Sequence, residues 1–324
     1  MPRKPQPPAF DGALVIDKPA GKTSHDVVEA IRRIVGFRQV GHLGTLDPLA
    51  TGVLVVLLGR ATRLARFYAG RRKRYQATFR FGFATDTYDA DGAAAGPDTP
   101  PALDRAQIED LAAKLTGRIL QMPPAYSAKK IHGQPAHELA RKNEPVELKA
   151  VEVEVYEFRV EGVDGSRVQV AIECSSGTYI RSLAHEMGQM LGCGAHLEKI
   201  TRTAVGEFTL DQAAKVEDVA TSAREGKIAQ WLISLDRLLP ELPRITVLPI
   251  IERAVRHGAK FNVLISQIQP GRVEVAQGAP AELDSGEWKP ARLRVFSPQQ
   301  ELIAIAEAVV LRTYRPIVVL AAEP

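Results

Sequence analysis

Only two cysteines, Cys174 and Cys193, occur in the 324 residues. Two isolated thiols make neither a disulfide framework nor a CxxC zinc or redox site, and the expectation is a reduced, cytoplasmic protein. Long apolar runs are also missing. Stretches such as Val53 to Leu58 fall far short of the roughly 20 residues that cross a bilayer, so no membrane association is expected. The N-terminus, MPRKPQPPAF, is basic and Pro-rich with no apolar segment. Residues 1–10 are therefore read as a tail and not as a secretory signal.

Several catalytic motifs begin and fail. His185-Glu186-Met187-Gly188-Gln189 starts like a zinc-binding HExxH, but Gln189 stands where the second His is required. Gly192-Cys193-Gly194 starts like a dinucleotide fingerprint, but Leu197 replaces the third Gly and the run follows a helical pattern. Asp89-Ala90-Asp91-Gly92 resembles part of a calcium loop with Thr87 in the first ligand position, and a turn is the better reading. No P-loop and no GxSxG is present. The expectation is no metal and no cofactor.

One absence is local. From Arg60 to Arg80 no Asp or Glu interrupts Arg60, Arg63, Arg66, Arg71, Arg72, Lys73, Arg74 and Arg80. A field of one sign suits a polyanion, although a solvated helix and turn could carry the same charges. The whole chain is nearly balanced, with 42 basic and 38 acidic residues. Net charge therefore permits a nucleic-acid partner without demanding one.

Apolar residues make up 45% of the chain, enough for a sizeable core. Ala13 to Asp17 reads as a strand. Thr23-Ser24-His25-Asp26 fits a capping box, followed by Val27, Val28, Ile31, Ile34 and Val35 at helical spacing and closed by Gly36. Arg38 to Gly52 is a loop, and Val53 to Leu58 a strand. Arg74 to Gly82 alternates, with Tyr75, Ala77, Phe79 and Phe81 on one face. Asp104 to Leu115 is an amphipathic helix. Residues 121–142 read as an exposed basic excursion carrying Lys129 and Lys130. Val151 to Val160 and Arg167 to Cys174 form a hairpin joined at Gly162 to Gly165. A helix spans about Tyr179 to Leu191, and a strand lies near Lys199 to Val205. Beyond Pro240 and Pro243 short strands follow at Asn262 to Ile265, Arg292 to Phe296, Leu302 to Ile305 and Pro316 to Leu320. Long antiparallel strands mixed with helices predict an α+β fold with a small β-rich second unit.

Asp47 sits in the most unusual loop, Gly41-His42-Leu43-Gly44-Thr45-Leu46-Asp47-Pro48. Glycines permit tight turns and Pro48 stiffens the step after the acid. A carboxylate held so can act as nucleophile or base, yet Asp-Pro more often simply begins a turn.

The stretch GHLGTLDPLATGVL resembles the signature loop of the TruB family of tRNA pseudouridine synthases. Further segments carry the same resemblance in order: Asp17-Lys18-Pro19 to Ser24, Lys73-Arg74-Tyr75, Thr85 to Gly92, Pro123 to Ala128, Ser176-Gly177-Thr178-Tyr179-Ile180-Arg181, and Gly192 to Leu197. The resemblance implies a catalytic domain over 11–240 with a mixed, largely antiparallel sheet and flanking helices. It further implies a PUA-like RNA-binding domain over 241–324. It implies isomerisation of uridine 55 in the T-arm stem-loop of tRNA, with the base flipped out of the stack and no obligate protein partner. Asp47 would be the catalytic carboxylate, with Arg181 as its ion-pair partner. Such a cation typically lowers a carboxylate pKa by about 1–3 units. Tyr75 would stack on the base and handle a proton. His42, Tyr179, Ile200 and Lys18 would bind substrate. Arg60, Arg63, Arg72, Lys73, Arg74, Lys129 and Lys130 would meet the RNA backbone. Departures from the family pattern are Leu43, commonly Thr, and Thr201, commonly Arg, which leaves a phosphate or structural contact open. Two alternatives remain at this stage: a pseudouridine synthase for another RNA, or a non-catalytic RNA-binding or tRNA-folding protein on the same scaffold.

Overall fold

A computed structural model describes residues 10–124, 130–131, 134–135, 149–271, 290–310 and 312–320. In chain order the first part comprises β1 (Gly12–Lys18), α1 (Ser24–Val35), β2 (Val40–His42), β3 (Thr51–Leu58), α2 (Ala65–Tyr68), β4 (Lys73–Phe81), α3 (Arg105–Lys114), β5 (Gly117–Gln121), β6 (Lys130–Ile131) and β7 (Gln134–Pro135). Then come β8 (Val151–Asp164), β9 (Arg167–Cys174), α4 (Ile180–Leu191), β10 (Ala195–Val205), β11 (Phe208–Thr209), α5 (Val216–Arg224) and β12 (Ile233–Ser234). The last part holds β13 (Arg244–Thr246), α6 (Pro249–Arg256), β14 (Phe261–Asn262), β15 (Arg292–Phe296), β16 (Leu302–Val310) and β17 (Thr313–Val319).

Local chemistry explains the elements around the Asp47 loop. Thr23 caps α1 reciprocally with Asp26, and Gly36 ends the helix in the left-handed conformation. Asp104 caps α3 through the Gln107 N–H. The β8–β9 hairpin turns later than expected. β8 runs on through Gly162 to Asp164, with irregular register on the way, and the chain reverses at Gly165 and Ser166.

The large sheet has the order β12-β1-β3-β10-β4-β9-β8-β5, with β2 added to β3 and β11 to β10. Its pairs are antiparallel except β3 with β10. Leu14, Ile16, Leu54, Val56, Tyr75, Ala77 and Phe79 pack beneath the helices with Val27, Ile31, Leu111 and Leu183. On the opposite face of β1 and β3, Val15, Val53, Val55 and Leu57 meet Phe296, Leu302, Ile305 and Val318 of the second sheet. β1 and β3 are thus buried on both faces, which is why their sequences are continuously apolar and do not alternate.

The second sheet has the order β13-β15-β16-β17-β14. Arg294 on β15 is buried and donates to the carbonyls of Leu242, Asp236, Leu238 and Pro240 at 3.0–3.4 Å. From the other side, the Tyr68 hydroxyl donates to Glu207 and accepts from the Leu239 N–H, both at 2.9 Å. The connection between the sheets is therefore held from both sides, by Arg294 of β15 and by Tyr68 of α2.

Candidate active site

Asp47 lies where the β2–β3 loop crosses the end of β1. The loop is pinned at nearly every residue. The Leu43 N–H donates to Val55 O at 2.9 Å. Ser24, buried at the start of α1, donates to Leu46 O at 3.1 Å and accepts from Leu46 N at 2.8 Å. Gly21 N–H donates to Pro48 O at 2.9 Å. Arg202 on β10 donates from Nη2 to Gly44 O at 3.0 Å, from Nη1 to Thr45 O at 3.2 Å and from Nε to Val53 O at 2.8 Å. Two glycines are required here. Gly44 adopts φ +85° with the Lys73 ammonium over it, and a Cβ on Gly52 would stand 2.3 Å from Arg202 O.

Arg181 is on the first turn of α4, with its side chain 7% accessible. Its Nε is 3.0 Å from Asp47 Oδ2, and its Nη1 is 3.3 Å from Asp89 Oδ2. Nη1 also donates to Thr87 O at 3.0 Å. The expected pair is therefore present, and Asp89 joins it. Asp89 itself is buried and fixed by the Thr87 hydroxyl at 2.5 Å and the Asp91 N–H at 3.2 Å.

The expected electrostatic consequence needs correction. Burial in the cleft raises the Asp47 pKa, Arg181 lowers it, Asp89 raises it and Lys18 lowers it, and the net direction is upward. Desolvation thus outweighs the cation. The carboxylate nevertheless keeps an open face, with 48% of its side chain accessible.

Tyr75 is 8% exposed on β4, opposite Arg202 of β10. Burial pushes its phenol up to about 12, while the Arg202 cation works in the opposite direction. Ile200, 9% exposed, lies two residues before Arg202 on the same face of β10. Tyr179 is the N-cap of α4, and its backbone is held by buried Gln121: Tyr179 N–H donates to Oε1 at 2.8 Å, and Nε2 donates to Tyr179 O at 3.1 Å. His42, at the end of β2, is partly buried, and burial lowers its pKa. It is neutral at physiological pH.

Other expected contacts are placed differently. Lys18 is fully buried, and its ammonium donates to Lys22 O at 2.6 Å, Pro19 O at 2.8 Å and Pro48 O at 3.3 Å. Burial brings its pKa down to about 8. It fastens the turn beside Asp47 and does not present its charge to a phosphate. Arg60 is paired with Asp11 at 2.7 Å and donates to Leu320 O at 2.7 Å. Arg63 and Arg66 donate to Val319 O and Ile317 O, so this face of the basic row lies along the edge of β17, although both residues remain exposed. Arg72 pairs with Glu173 at 3.0 Å and covers the Tyr156 ring. Lys73 donates to the Ser176 hydroxyl at 3.1 Å. Arg74 is exposed. Lys129 lies outside the described residues, as do the Lys130 side chain and most of 121–142. The Thr201 hydroxyl is 2.8 Å from that of Thr51 across the β3–β10 pair, so this departure from the family pattern serves as a strand-to-strand contact.

Arg202, Asp89 and Gln121 were not foreseen. For Arg202 a signal exists: in Ile200-Thr201-Arg202-Thr203-Ala204 it shares the strand parity of Ile200 and Ala204. A charge on a core face is seldom without function. Among the described residues, no cluster of three or more His, Cys, Asp or Glu is arranged to hold a metal. No helix among them is long and apolar enough to cross a membrane.

The family model described as "TruB family pseudouridylate synthase (N terminal domain)" matches residues 32–180, and "tRNA pseudouridylate synthase B C-terminal domain" matches 181–242. The protein named tRNA pseudouridine synthase B of Solibacter usitatus is 41% identical over 311 residues, covering 96% of this chain and 100% of that protein. The chain belongs to the TruB family of pseudouridylate synthases. The protein named tRNA pseudouridine synthase B of Thermobifida fusca is 50% identical over 218 residues, 65% of this chain and 74% of that one. Among solved structures, a Cbf5–Nop10–Gar1 complex matches with a TM-score of 0.68 and 24% identity, covering 94% of this chain and 80% of that one. That likeness supports the fold: an α+β pseudouridine synthase sheet with a PUA-like second sheet. As a TruB enzyme the chain is an isomerase that makes pseudouridine in RNA.

Proposed function

We propose that this chain converts uridine 55 in the T-arm of tRNA to pseudouridine, with residues 11–240 carrying the chemistry and 241–324 contributing RNA binding. The observation that carries the mechanism is a single open carboxylate, Asp47, held between a pinned loop and the Arg181 guanidinium. The reaction breaks the N1–C1′ bond, turns the uracil and rejoins it through C5, with loss of the C5 proton. It needs one ionised carboxylate, acting by attack on the sugar or base or by removal of the C2′ proton. Arg181 opposes the desolvation that raises the Asp47 pKa.

Extracting the uridine from the folded T-loop costs a few kcal/mol. Tyr75 offsets part of this by stacking, worth roughly 1–3 kcal/mol. Tyr179, Ile200 and the neutral His42 supply further planar and apolar wall. With its phenol pushed up to about 12, Tyr75 keeps its proton at neutral pH and offers a hydrogen-bond donor. Arg74, with Arg63 and Arg66 on their exposed sides, is proposed to meet the RNA backbone.

The test is release of tritium from [5-³H]uridine in three RNAs: a T-arm stem-loop, the same stem-loop with the target uridine moved one position, and an unrelated hairpin. Release from the first alone is expected. Equal release from all three would refute T-arm selectivity, and release from none would refute the activity.

A further inference from the structure

Arg202 has no role in the reading above, yet it is the largest fully buried side chain in the described residues. It lies on the core face of β10, and an irregularity in the β10–β4 register follows it, between Arg202 and Ala204. Its three nitrogens reach three carbonyls, those of Gly44 and Thr45 in the Asp47 loop and of Val53 on β3. Tyr75 is the cross-strand partner of Arg202 in the β10–β4 pair. One planar group thus holds the backbone two residues before Asp47, from a strand position directly opposite the aromatic residue proposed to stack on the base.

A core methionine would fill similar volume but would leave the carbonyls of Gly44, Thr45 and Val53 without these donors. A lysine would supply a point charge, not a rigid fork with donors in several directions. The arrangement therefore exceeds what filling a core position needs.

We infer that Arg202 is a positioning residue for the isomerisation, fixing the Asp47 loop against the β10–β4 pair that carries Tyr75 so that carboxylate and phenol meet the flipped base together. It reaches no reacting atom. It acts through Asp47 and Tyr75. This inference rests on the functional reading above. Misplacing a reacting group by about 1 Å can cost ~100-fold in rate.

The test compares wild type, Arg202→Lys, Tyr75→Phe and the double variant, as full chains, for single-turnover tritium release from the T-arm stem-loop and for affinity to the same RNA. Arg202→Lys is expected to lower the rate by about 100-fold, with RNA affinity changed by less than about threefold, as for an interaction made in the transition state. In the Tyr75→Phe background the same substitution should cost only about tenfold, because part of its effect runs through its cross-strand neighbour Tyr75. A merely structural arginine would give additive losses or a parallel loss of RNA affinity, and either outcome overturns the inference. So does a wild-type rate. An Arg202→Lys chain that loses near-UV circular dichroism and RNA binding also overturns it, because the guanidinium would then be holding the sheet and not the loop. An inactive wild type defeats the functional reading instead, and the inference with it.

Discussion

Two buried arginines organise two regions of this molecule in the same way. Arg202 gathers the carbonyls of Gly44, Thr45 and Val53 around the Asp47 loop. Arg294 gathers those of Asp236, Leu238, Pro240 and Leu242 at the joint between the sheets. Both immobilise irregular backbone, Arg202 at Gly44 and Thr45 and Arg294 at the joint. They differ in what stands next to them. Beside Arg202 are a half-open carboxylate and a buried phenol. Around Arg294 the backbone carbonyls are joined by the Phe296 ring. A buried cation on backbone carbonyls is therefore a fastening device, and a reaction centre arises where the fastened backbone presents a group that can change its bonding.

The largest expected break in this comparison is Arg181→Met. It should lower single-turnover isomerisation by about 1,000-fold, within the range of a lost charge-stabilising group, and leave RNA affinity nearly intact. The sign of its pH effect is fixed. Asp47 works ionised, Arg181 lowers its pKa, and removing Arg181 lets burial raise it further. The acidic limb of the rate profile should move to higher pH. An unmoved limb would separate Arg181 from the titration.

Arg294→Met sharpens the contrast. Leaving several buried carbonyls unpaired costs roughly 1–3 kcal/mol each when no water reaches them. A loss of about 4 kcal/mol in urea unfolding is expected, the low end for four carbonyls, with kcat on a T-arm stem-loop unchanged. A fall in kcat without a fall in stability would erase the distinction between the two arginines.

Tyr75→Phe keeps the ring and removes the donor. A loss of about tenfold in kcat is expected, against a larger loss and weaker binding for Tyr75→Ala, which also forfeits stacking worth roughly 1–3 kcal/mol. Equal losses in the two variants would leave no separate role for the hydroxyl. The smallest effect is expected from Ser24→Ala, which frees both Leu46 backbone groups. About 1–2 kcal/mol of stability should go, and the rate should fall less than in Arg202→Lys.

Much of the frame was legible because local chemistry and tertiary structure agree. Thr23, Asp26 and Gly36 define α1, and the alternation from Tyr75 to Phe81 defines β4. The loop around Asp47 was legible through its resemblance to a family signature, and Arg181 through the same resemblance. The rest depended on long-range closure. Lys18 looks like a surface cation in sequence, and only the return of Pro48 and Lys22 around it makes it a buried fastener. Arg60 reads as part of a phosphate-binding row until Asp11 and Leu320 meet it. The sign of the Asp47 shift depends on how far burial exceeds the influence of Arg181, which spacing along the chain does not specify. Arg202 carried its own clue, a charge in phase with Ile200 and Ala204, but its partners lie about 150 residues earlier.

The most direct test of the central claim is Asp47→Asn, isosteric and unable to serve as an ionised carboxylate. Wild type and variant are mixed in excess with a T-arm stem-loop carrying [5-³H]uridine at the target position, and both tritium release and RNA affinity are measured. The account predicts a fall in single-turnover release of at least ~10⁴-fold, the upper range for a lost acid–base group, with affinity within a few-fold of wild type. Release at a comparable rate from the Asn variant would contradict it.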